Sequence, residues 1–68
     1  MQAVTHETET EFWSDTYRGR PIAILNRYGR LHVYLDHILQ SNVVFESAGD
    51  ALAWMMQRVD QGLPARLN

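Results

Sequence analysis

Residues 19–35, GRPIAILNRYGRLHVYL, decide the fold. Leu31, Val33 and Leu35 alternate with His32, Tyr34 and Asp36, the pattern of a strand with one face buried and the other wet. Residues 21–25 are apolar throughout, as a central strand touched from both sides must be. Pro21 stands at the head of that strand, where its missing N–H costs little. Between the two runs, Asn26, Arg27, Tyr28 and Gly29 fit a type I turn whose closing glycine takes a positive φ and forms a bulge. The stretch predicts an antiparallel hairpin.

Upstream the pattern repeats. Gly19 and Gly29, Arg20 and Arg30, and Leu25 and Leu35 are each ten residues apart, the spacing of consecutive meander strands with a turn at each start. Asp15 to Gly19 reads as a similar, slightly longer turn. Glu9 to Asp15 reads as a first strand, with Phe12 and Trp13 on opposite faces and Glu7, Glu9 and Glu11 sharing the face of Trp13. Acidic residues on an edge strand discourage pairing with other molecules. Residues 1–8 are polar and aperiodic, and read as a flexible tail that holds His6.

Downstream, His37 to Ser41 reads as a loop turning Ile38 and Leu39 inward, and Val43 to Glu46 as a short strand. Ser47 then opens the clearest helix, as an N-cap with Asp50 at the third helical position, where an acid also complements the helix dipole. Ala48, Leu52, Met55 and Val59 recur at helical spacing, widened by Ala51 and Met56. Gly62 is a left-handed stop, Leu63 its hydrophobic partner, and Pro64 bars continuation, so the helix is predicted over 48–61. Trp54 falls roughly 130° from the centre of this stripe at about 100° per residue, hence on its flank or outside it. The fold expected is α+β: an antiparallel meander of three strands, or four if residues 43–46 join it, with one C-terminal helix packed on one face. It spans residues 9–63 as a single domain, followed by a C-terminal tail of residues 64–68.

Composition narrows the class. A chain of 68 residues holds one domain at most, and a domain of this size buries only about 60% of its unfolded surface. Its apolar fraction, 46%, is that of a globular protein. Without cysteine there is neither disulfide nor thiolate metal site. No apolar run approaches the roughly 20 residues of a membrane span, and the opening MQAVTHETET has no signal-peptide core. A soluble, cytoplasmic protein without a membrane partner is expected.

Catalytic constellations are not found. His32 and Asp36 share a strand face, but at about 3.3 Å per residue they lie roughly 13 Å apart, too far to act as a dyad. His32 reads as a surface strand residue and His37 as a loop residue, without one-face spacing for a metal pair. There is no Gly-rich phosphate loop, HExxH or GxSxG. No catalytic residue, metal ligand or cofactor is expected, and the chain reads as a non-enzyme.

Charge is more informative in its distribution than in its sum of −2. Residues 1–16 carry four acids and no base, residues 17–34 four arginines and no acid, and the remainder is again acidic. All six basic residues are arginine, which suits bidentate and stacked contacts. Arg18, Arg20, Arg27 and Arg30 interleave with Tyr17, Tyr28, His32 and Tyr34. Such a hairpin is equipped to hold phosphates with arginine and stack bases on its rings, and a two-stranded ribbon fits the major groove. A net negative domain, however, steers poorly toward a polyanion.

The passage from strand to helix, Phe45, Ser47, Ala51 and Trp54, resembles the F-x-S/T-x-x-x-A-x-x-W passage of the small arm-binding domain of tyrosine recombinases. There a three-stranded sheet precedes one helix and reads the DNA major groove, so the resemblance implies that fold and, with it, DNA binding. The layout is also similar to that of short bacterial proteins made of one sheet and one helix.

Protein association is the competing reading. A helix on one sheet face leaves the other to His32, Tyr34, the outward members of residues 22–25 and 43–45, and either Phe12 or Trp13. Exposed apolar patches of this kind mark interfaces, and Tyr, Trp, Met and Arg, Trp54 among them, are interface-enriched types. The sequence therefore predicts a binding or regulatory module acting through its open sheet face and Arg/Tyr hairpin, on a protein partner or as a homodimer. Nucleic-acid binding by the Arg18–Arg30 hairpin is the alternative.

Overall fold

A computed structural model describes residues 10–67; the expected N-terminal tail lies outside them. Strands β1 (Thr10–Tyr17), β2 (Arg20–Arg27), β3 (Arg30–Leu35) and β4 (Ile38–Leu39) precede helix α1 (Ala48–Asp60). The sheet runs β1-β2-β3-β4, each strand antiparallel to the next. This is the α+β meander with one C-terminal helix that the sequence predicts.

The turns differ from expectation. Three two-residue turns join the strands, and all six of their residues have positive φ: Arg18 (51°) and Gly19 (80°), Tyr28 (54°) and Gly29 (82°), Asp36 (56°) and His37 (68°). This is the type I′ geometry, whose twist matches that of the flanking strands, where a type I turn would splay them. The bulge expected at Gly29 is absent, since Arg27 pairs directly with Arg30. The longer turn expected over 15–19 is likewise replaced, because β1 continues to Tyr17, opposite Arg20. Asn26 braces the second turn, its Oδ1 accepting the Gly29 N–H at 3.0 Å.

The fourth strand also moves. Residues 38–39 form it, through the Asp36-His37 turn, while of residues 43–46 only Phe45 pairs with the sheet, in a single bridge to Leu31. Leu31 and Phe45 exchange both backbone hydrogen bonds, at 2.8 and 2.9 Å, and the Gln40 N–H bonds the Val33 carbonyl at 2.9 Å. The outer edge of β3 is thus sealed along its length.

Helix α1 starts and stops as its sequence directs. The Ser47 Oγ accepts the Asp50 N–H at 3.4 Å. At the other end Leu63 N–H bonds Arg58 C=O and Gly62 N–H bonds Val59 C=O, each at 2.9 Å, the paired closure a left-handed glycine permits. Gln61 is its C-cap, so the helix ends one residue before the expected limit.

Ile22, Ile24, Leu31, Val33 and Leu35 meet Ala51, Met55 and Val59 in the core; Leu35 and Met55 are 0% exposed. Each such side chain contributes about 1.5–3 kcal/mol on burial. Ala48, expected in the apolar stripe, is exposed instead. Beyond the helix, in the stretch expected as a tail, Ala65 is buried in the same cluster. Gln40, fully buried, holds that segment: its amide donates to the carbonyls of Ile38 (3.0 Å) and Arg66 (3.2 Å), and its Oε1 accepts the Arg66 N–H (2.9 Å).

Candidate functional site

Strand alternation and register assign every candidate to a face. Tyr17, Arg20, Ile22, Ile24 and Trp13 point toward the helix side. Phe12, Ala23, Leu25, Arg27, Arg30, His32 and Tyr34 point to the opposite, open side. The four arginines therefore do not form one cluster. Arg20 and Arg27 begin and end β2, about 23 Å apart at about 3.3 Å per residue, and on opposite faces.

At one end the arginines are spoken for. Arg20 Nε and Nη2 grip the two oxygens of Asp36 at 3.0 and 2.6 Å, and Nη1 donates to the Leu63 carbonyl at 2.7 Å. These bonds hold the Asp36 carboxyl below its ordinary range and raise the Arg20 guanidinium. Asp36 sits at positive φ in the third turn, so Arg20 ties that turn to the chain leaving the helix. Next to it the Tyr17 hydroxyl donates to Asp60 Oδ1 at 2.9 Å. Arg18 Nε lies 2.8 Å from the same Oδ1 and 3.2 Å from the Tyr17 oxygen. The hydrogen bond to Tyr17 first, and the charge of Asp60 with it, raise the Arg18 guanidinium. Tyr17, Arg18 and Arg20 are fasteners of the fold.

Trp54 has the same character. Half-buried on the helix flank, its ring lies 6.0 Å from that of Phe45, with the Arg58 guanidinium over it at 5.2 Å. Arg58 Nη2 donates to the Pro64 carbonyl at 2.9 Å.

The other candidates stay available. Arg27 and Arg30 face each other across the ladder beside the Tyr28-Gly29 turn, and His32 follows on the same face. Among the described residues neither arginine has an ion-pair partner. Two like charges directly opposite are unfavourable unless something anionic lies nearby. Tyr28 is exposed at the turn tip. Tyr34 meets Phe12 edge-on, ring centroids 6.3 Å apart, and Phe12 is 63% exposed. The small side chain of Ala23 opposite Tyr34 leaves a shallow depression of about 280 Å³ bordered by Phe12, Tyr34, Pro21 and His37.

A second concavity was not foreseen in the sequence. The helix packs mainly over β3 and β2, and apart from Tyr17 at its end no described element covers the β1 half of that side. There a groove of about 730 Å³ runs between Trp13 and the first turn of α1, floored by Ile24 and Leu31 with Glu11 and Asn26 at its polar margin. Trp13, 43% exposed, lies in it. Among the described residues no three His, Cys, Asp or Glu side chains gather as a metal would require, and no helix is long and apolar enough to cross a membrane.

Comparison of the chain with protein-family models, with curated proteins and with solved structures finds no match.

Proposed function

We propose that this protein is a non-enzymatic binding module that associates with protein, a second copy of itself first of all, through the open face of its sheet, with the cytoplasm as its compartment. The observation that carries this reading is Phe12, 63% exposed and standing against Tyr34 on a face that no described element covers. An aromatic pair beside a shallow depression, rimmed by Arg27, Arg30 and His32, has the apolar centre and polar margin of an interface. Tyr17, Arg18 and Arg20 drop out of it, since their polar groups are engaged within the fold.

Sedimentation equilibrium tests the reading. The mass of the native protein rises with concentration, and Phe12→Ser returns it to that of one chain while the amide spectrum stays that of the folded domain. A mass independent of concentration in the native protein overturns self-association.

A second reading, nucleic-acid binding, is favoured by one observation: Arg27 and Arg30 lie directly opposite each other with no ion-pair partner among the described residues. On that reading Arg27→Ala and Arg30→Ala each flatten the salt dependence of oligonucleotide binding by about one phosphate. Arg18→Ala leaves it unchanged.

A further inference from the structure

The two edges of the sheet are treated differently. The outer edge of β3 is closed by β4, Gln40 and Phe45, whereas among the described residues nothing pairs with the outer edge of β1. In a two-residue hairpin the residues flanking the turn exchange both hydrogen bonds, and bonded pairs then alternate with non-bonded ones. Tyr17 and Arg20 are that flanking pair, so Asp15, Trp13 and Glu11 direct their backbone groups to β2. Phe12, Ser14 and Thr16 direct theirs outward. One of these is already taken, for the Thr16 N–H donates to its neighbour's Asp15 Oδ1 at 2.7 Å. Phe12 and Ser14 keep theirs.

Of the devices that usually close an edge, this one carries only charge. At eight residues β1 is long, its register against β2 is unbroken from Thr10↔Arg27 to Tyr17↔Arg20, and Phe12 and Trp13 are both exposed. Its charges are selective. Glu11, Trp13 and Asp15 are successive same-face positions of the strand, all exposed, an indole between two acids, with Glu11 and Trp13 at the mouth of the groove. We propose that β1 receives an extended basic peptide segment as a fifth strand. Backbone groups of Phe12 and Ser14 pair with it, and its residues opposite Glu11, Trp13 and Asp15 are basic, apolar and basic in turn. The pattern reads the same in either strand direction.

A second copy of this chain is not that partner. Two-fold pairing of β1 with itself keeps each helix on the same side of the joined sheet, so it gathers Glu11 and Asp15 of both copies on one face with no cation among them. The site uses a backbone edge and the helix side, so it stands or falls apart from association through the open face.

Amide NMR of the full chain, titrated at low salt with acetyl-Thr-Lys-Thr-Val-Thr-Lys-Thr-amide and with the same peptide carrying Glu for both Lys, tests the inference. Shifts centred on residues 11–16, slowed exchange of the Phe12 and Ser14 amide protons, and binding of the Lys peptide about tenfold tighter are expected. Ser14→Pro, which removes one outward N–H at a position where an edge strand tolerates proline, abolishes the slowed exchange at Phe12. Glu11→Lys, which leaves the backbone untouched, narrows the preference for the Lys peptide and serves if the proline variant unfolds. Equal binding of the two peptides, no shifts at all, or shifts confined to Ala23, His32 and Tyr34 overturn the proposal.

Discussion

The two ends of the β2–β3 hairpin share a sequence motif, a backbone and a charge, yet they do different things. At one end Arg18-Gly19-Arg20, and at the other Tyr28-Gly29-Arg30, bend the chain through the same pair of positive φ angles. At the first end the helix terminus and the residues after it arrive with Asp60 and the carbonyl of Leu63, and arginine becomes mortar. At the second, Arg27 and Arg30 stand on the face away from the helix and have no ion-pair partner among the described residues. A repeat in the sequence therefore marks a repeat in the backbone. What the side chains do depends on the face they stand on: Arg20 stands on the helix side, Arg27 and Arg30 on the open one.

The contrast is open to direct attack. The largest effect is expected at Gln40, whose buried amide is the anchor of the closed end. Gln40→Leu strands the Ile38 and Arg66 backbone groups and lowers stability by about 2–3 kcal/mol, read as a shift in the urea midpoint. Arg20→Ala follows, at about 1–2 kcal/mol, the partial exposure of both side chains holding it below a fully buried pair. Arg20→Lys recovers only part, having no planar fork for Asp36.

The same pair sets an acid limit. Because the folded Asp36 carboxyl titrates below its ordinary value, its contribution is complete above about pH 5, where the unfolded carboxyl is ionised, and is lost as pH falls through the unfolded and then the lower folded value. The gap between native and Arg20→Ala midpoints should narrow between neutral pH and pH about 2–3. A gap that stays constant would mean that Arg20 stabilises through Leu63 alone. At the open end the sign reverses: Arg27→Thr removes a like-charge pair from the ladder and raises stability by about 0.3 kcal/mol. A loss there would show that Arg27 is a fastener after all.

Much of this fold is legible in the residues. Alternation at 31–36 and the apolar run at 21–25 locate β3 and β2, and Ser47, Asp50, Gly62 and Leu63 mark both ends of the helix by its capping chemistry. The turns were harder, because Arg18, Tyr28 and His37 are poor advertisements for positive φ, and the twist of the strands overrides their preference. The same difficulty hid β4, since Asp36-His37 gives no glycine to announce a hairpin. Gln40 was hidden by its polarity, which reads as loop until its three backbone partners are in place. As for the site, Tyr34, His32, Arg27 and Arg30 share a face that the alternation foretells. The misplaced members, Tyr17, Arg18 and Arg20, were grouped by nearness along the chain, which a strand rise of about 3.3 Å per residue turns into separation. Phe12 rather than Trp13 belongs to the open face because the first turn has two residues, a parity that a longer turn would have inverted.

The three two-residue turns also bear on speed. No residue of the sheet pairs with a partner farther along the chain than Thr10 with Arg27, so each ladder closes by zipping outward from its own turn, with little loop entropy lost before contacts form. Longer in range are the packing of α1 on β2 and β3, the grip of Gln40 on Arg66 and the bonds joining Tyr17, Arg18 and Arg20 to the helix end. The meander should thus assemble early and fast, and the closing of its C-terminal end should be the last step forward and the first to fray.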